Sequence, residues 1–117
     1  MDLNEAIKAH SDWKMKLRSA ISGKTALDAQ TISRDDCCHL GKWLHGESKP
    51  TLGKLASHAQ CVKLHADFHK SAGKVAAAIN AARFEDAQAM LASGTEYALA
   101  SNAVVIAIGA LKREARL

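Results

Sequence analysis

Residues 51–81, TLGKLASHAQCVKLHADFHKSAGKVAAAINA, decide the fold. Leu55, His58, Val62, His65, His69, Ala72, Ala76 and Ile79 recur at steps of three and four, with Leu64, Phe68 and Val75 beside them. That period is helical, and its extent predicts one long amphipathic helix from about Thr51 to Ala81. Pro50 suits a helical first turn, and Asn80 to Arg83 reads as the turn that follows.

Upstream, residues 2–22 place Leu3, Ile7, His10, Leu17 and Ile21 on a second stripe, flanked by Ala6 and Trp13. Gly23 is positioned to end that helix. Lys24 to Ser33 has no clear period and reads as a polar connection. Ser33-Arg34-Asp35-Asp36 resembles a capping box, which predicts a short helix through Leu44 that ends near Gly46. Downstream, Phe84 to about Arg116 favours one side with Ala87, Leu91, Ala98, Val105, Ile108 and Leu111, and Gly94 is placed to kink or interrupt it. Three long helical stretches and one short one predict an all-α, antiparallel four-helix bundle. No internal repeat or linker divides the chain, so residues 1–117 are expected to form a single domain.

Composition narrows the function classes. A hydrophobic share of 48% with one proline fits a compact protein and excludes a disordered tail or a collagen-like repeat. The net charge of +4 permits an acidic partner without demanding one. Basic residues are dispersed, with only Lys112-Arg113 and Arg116 grouped, and aromatics are 4%, so no nucleic acid partner is expected. The longest apolar run, Ala103 to Leu111, is about half a membrane span, and Met1-Asp2-Leu3-Asn4-Glu5 is acidic without an apolar stretch. The expectation is a cytoplasmic domain with no direct membrane insertion.

Six histidines stand beside three cysteines. An odd cysteine count excludes a closed disulfide framework and favours a reducing compartment. A lone histidine on an apolar stripe is usually a packed residue. His65 and His69, four apart, project from one helical face, and His10 adds a third imidazole from the middle of another stripe. Packing accounts poorly for three such rings, because each needs a hydrogen-bond partner and few uncharged polar residues lie on those stripes. His65-Ala66-Asp67-Phe68-His69 has alanine where H-E-x-x-H requires its general-base glutamate, so a hydrolase is not expected. Cys37 and Cys38 are adjacent, and one of them is the candidate fourth ligand.

Cys38-His39-Leu40-Gly41-Lys42-Trp43-Leu44 has the form C-x-[LF]-G-x-W, with His10-x-x-Trp13 upstream and the H-x-x-x-H pair downstream. This pattern resembles the chemoreceptor zinc-binding domain family, and the spacings between its parts resemble it too. The likeness spans essentially the whole chain. It implies Zn2+ held by His10, Cys38, His65 and His69 inside an α-helical bundle, usually a homodimer. It also implies a sensory role in bacterial signal transduction, coupled to a chemoreceptor signalling region or a diguanylate cyclase. The implied signal is zinc or an oxidant such as hypochlorous acid. The chemistry is compatible: three imidazoles and a thiolate fill a tetrahedral zinc shell and leave no position for a catalytic water.

Asp12, Asp36 and Asp67 stand near these residues as candidate acceptors for the outer imidazole nitrogens. Cys61 is expected in the core, Cys37 and His45 at the surface. His58 lies two turns from His65 on the same side. A hemerythrin-like di-iron bundle would need bridging carboxylates that the stripes lack, and a metal-free helical interaction module would leave the histidines incidental.

Overall fold

The computed structural model describes all 117 residues, in seven helices and no strand. Helix α1 (Leu3–Gly23) opens where the Asp2 carboxylate accepts the N–H groups of Asn4 and Glu5. Its stripe buries Leu3, Ala6, His10, Leu17 and Ala20. Gly23 is the last helical residue, and Lys24 makes the left-handed turn at φ 50°.

The connection read as irregular contains a helical turn, α2 (Ala29–Ile32), because Asp28 caps it through the Thr31 N–H and hydroxyl. Ser33 therefore closes a helix instead of opening one, its hydroxyl donating to the Gln30 carbonyl. The short helix α3 (His39–His45) starts later than the capping-box reading placed it, and Cys38 is its cap. The turn α4 (Lys49–Leu52) carries Pro50 in its first turn. Leu55 is then extended (φ −72°, ψ 136°), so the long helix α5 (Ala56–Asn80) begins about a turn after the expected Thr51. Gly94, at φ 80°, interrupts the last segment into α6 (Phe84–Met90) and α7 (Glu96–Ala115).

Pairings between helix ends give the topology. Ser57 N–H donates to Glu114, and Lys74 meets Glu96, so α5 and α7 are antiparallel. Lys112 Nζ lies 2.9 Å from Asn4 Oδ1, which makes α1 antiparallel to α7 as well. Residues 27–48 run back along α5: Leu27 bonds Asn80, Ile32 meets His69, Cys38 reaches His65, and Ser48 reaches His58. The bundle is therefore four-membered and antiparallel, with a broken second member built from short helices. A Cβ on Gly73 would lie 2.5 Å from the Ser33 Cβ, so glycine lets this broken member approach the α5 backbone. Leu17, Leu40, Leu44, Phe68, Val75, Leu91, Val104, Ile108 and Leu111 form the fully enclosed centre.

Candidate metal centre

Four donor atoms from three members of the bundle converge beside that apolar centre. His10 comes from α1, Cys38 from the cap of α3, and His65 and His69 from successive turns of α5. The donors all lie within 4.8 Å of one another. His65 Nε2 is 3.1 Å from His10 Nε2 and 3.0 Å from His69 Nε2. Cys38 Sγ is 3.2 Å from His65 Nε2, 3.5 Å from His69 Nε2 and 3.9 Å from His10 Nε2. Tetrahedral zinc with ordinary bond lengths needs edges of about 3.3 Å between nitrogens and about 3.6 Å from nitrogen to sulfur. Five of the six edges, at 3.0 to 3.9 Å, lie close to those dimensions, and the sixth, between His10 and His69, is within 4.8 Å.

The outer ring nitrogens establish which atoms face inward. His10 Nδ1 lies 2.7 Å from the Ala6 carbonyl and His69 Nδ1 lies 2.9 Å from that of Ile32. A carbonyl only accepts, so each Nδ1 carries the proton and each Nε2 presents a lone pair to the centre. His65 Nδ1 is buried with no partner. The acceptors are thus backbone carbonyls, and none of the three candidate carboxylates serves. Asp12 pairs with Lys8, Asp36 with Arg34, and Asp67 with Lys63, all at the surface. Distance in sequence could not reveal this, since backbone acceptors carry no residue signature.

Electrostatics match a site that accepts a cation. Burial holds His10 and His69 below the usual histidine range. Burial, reinforced by the His69 and His10 rings, drives His65 down to about 2. The rings are therefore neutral, as metal ligation requires. Burial raises the Cys38 thiol, partly opposed by the Gly41 N–H that lies 3.4 Å from its sulfur. A divalent ion reverses that balance by favouring the thiolate. Lone pairs and a thiolate gathered at hydrogen-bonding distance repel one another unless a proton or a cation sits among them.

Gly41 sets the approach. A Cβ there would collide with the Asp35 carbonyl and come within 3.1 Å of His65 Cε1. Among the remaining candidates, Cys61 is fully buried as expected, while Cys37 is only half-exposed. His45 pairs with Asp35 at 2.8 Å on the surface. His58 is buried against Ser48, away from the donor cluster.

No curated protein and no solved structure matches the chain. The family model described as the chemoreceptor zinc-binding domain matches residues 10–76, a span that begins at His10 and contains Cys38, His65 and His69. With more than half its length matched and four donors positioned to hold a metal ion, the chain belongs to the chemoreceptor zinc-binding domain family.

Proposed function

We propose that residues 1–117 form one sensory domain in which His10, Cys38, His65 and His69 hold a single Zn2+, and that loss of the Cys38 donor is its signal. The inward convergence of three imidazole Nε2 atoms and one sulfur carries this reading. When bound, the ion supplies a closed four-coordinate centre that ties α1, α3 and α5 together. The donor set contains no carboxylate, which disfavours a di-iron centre. It leaves no open position for substrate, so we read the chain as a regulator and not an enzyme.

Cys38 is the donor suited to release. The three histidines are 3% exposed or less, whereas Cys38 is half-buried and sits on a seven-residue helix. A cleft of about 200 Å³, lined by Glu5, Ala6, His10, Cys38 and Leu40, reaches the site from outside. A small oxidant entering there meets the sulfur first. With hypochlorous acid the thiolate gives a sulfenic acid and chloride: sulfur loses two electrons, chlorine gains them, and the hydroxyl oxygen stays on sulfur. The product is a poorer donor, and zinc release without oxidation would free the same segment.

The freed element is the α3 end of the bundle's broken member, so the change would pass to a second copy in a homodimer and to an attached or partner output domain. A chemoreceptor signalling region or a diguanylate cyclase fits that role. No helix is long and apolar enough to cross a membrane. A reduced, zinc-ligated thiolate fits a cytoplasmic location.

Zinc release into a chromophoric chelator during hypochlorous acid titration tests the sensing step. Release should track loss of the Cys38 thiol and disappear in Cys38→Ser, while Cys37→Ser keeps it. Undiminished oxidant-driven release from Cys38→Ser would contradict the reading.

A further inference from the structure

His58 lies on the buried face of α5, seven residues before His65, yet it contributes nothing to the donor cluster. It is 4% exposed and its partner Ser48 is 1% exposed. The Ser48 hydroxyl donates to the Trp43 carbonyl at 2.8 Å and stands 3.4 Å from the Leu44 carbonyl. The Ser48 N–H reaches the same Trp43 carbonyl at 3.0 Å. With its own proton engaged, Ser48 Oγ accepts from His58 Nε2–H across 2.9 Å. Trp43 and Leu44 are in the last turn of α3, where carbonyls lack partners within the helix.

Two lengths match to within one residue. Cys38 to the clamped Leu44 is six residues, about 9 Å at the helical rise, and His58 to His65 is seven along α5, about 10.5 Å. The two helices run in opposite directions. When the C-terminal carbonyls of α3 rest on Ser48 and His58, its capping sulfur therefore arrives opposite His65. Between these two points, α3 is held by the buried side chains of Leu40 and Leu44. Apolar contact is non-directional and tolerates a small slide, whereas a hydrogen-bonded clamp on named carbonyls fixes the register.

We infer that Ser48 and His58 are positioning residues for the metal centre: they fix the register of α3 on α5 and so deliver the Cys38 sulfur to His65 and His69. The proposal builds on the zinc reading above, but its claim about where the sulfur sits holds with or without metal.

The test uses the full chain in a Cys37→Ser background, with His58→Ala, Ser48→Ala and His58→Gln. Chelator competition reads zinc affinity, cobalt substitution reads the thiolate-to-metal charge-transfer band, and alkylation of metal-free protein reads Cys38 exposure. Both alanine variants should bind zinc about tenfold more weakly, in the range found when partners orienting metal ligands are removed. Their charge-transfer band should weaken relative to the ligand-field bands, and Cys38 should alkylate several-fold faster. His58→Gln, whose amide N–H can reach Ser48, should restore all three. Native helicity with unchanged affinity, band and alkylation in both alanine variants would overturn the proposal. So would loss of helicity in both, which would make the pair a folding requirement only. If the unsubstituted chain binds no zinc, the zinc reading fails by itself, and the alkylation comparison still decides the positioning claim.

Discussion

His65 and His69 present their Nε2 atoms to each other at 3.0 Å from consecutive turns of α5, and neither ring has a buried acid to share a proton with. Helical geometry brings the two rings to one side, and their burial keeps them neutral. His10 and the Cys38 sulfur complete the enclosure from other members of the bundle. A cation at this point relieves the crowding of lone pairs and joins segments distant in sequence.

Chelation should therefore cost stability. Removing a ligand that binds only the folded chain lowers stability by the free energy of its binding. With zinc stripped by a strong chelator, the melting temperature should fall by about 10 °C or more. Calorimetry checks this, and an unchanged melting temperature would favour a metal-free helical module.

Gly41→Ala tests the close approach. Its Cβ would meet the Asp35 carbonyl, so the backbone must move and carry Cys38 away from His65. We expect a loss of about 1–3 kcal/mol in the metal-free chain, typical of overpacking. Zinc affinity should fall at the same time, and denaturant melts with chelator competition would measure both.

The pH dependence of the metal-free chain follows from its buried histidines. His10, His58, His65 and His69 all have folded-state values below the usual 6.5, chiefly through burial. Above that value the rings are neutral whether the chain is folded or unfolded. Below it the unfolded chain takes up protons that the folded chain refuses, so stability is lost as pH falls. Denaturant midpoints in chelator should be flat from about pH 7 to 8 and decline steadily toward pH 5. A flat profile to pH 5 would show that the rings are not buried neutral.

Among the cysteines, only Cys38 should couple oxidation to zinc. The Cys61 thiol is enclosed and pushed up to about 11 by burial, which leaves it unreactive. Peptide mass mapping after mild oxidation should find Cys61 unmodified while zinc remains bound.

Much of this was legible in the residues. The stripes of α1 and α5 named the buried faces and the three histidines on them. The resemblance to the family, not the spacing alone, singled out Cys38 over Cys37 for the group that the fold brings together. The broken second member was harder to read. Asp28 caps a turn that ends at Ser33, Cys38 caps α3 in place of Ser33, and an extended Leu55 separates two helical turns that share one periodic pattern. Outer acceptors were illegible because Ala6 and Ile32 contribute only carbonyls. The role of Ser48 was hidden for a related reason: its partners are the final carbonyls of α3 and a histidine beyond the next turn.

The most direct measurement is the zinc content of the purified chain beside that of the Cys38→Ser, His65→Ala double variant. Near one equivalent of tightly held zinc is expected in the unsubstituted chain and almost none in the double variant, with helicity monitored in both. Zinc retained at full stoichiometry by the double variant would place the metal elsewhere and contradict the assignment.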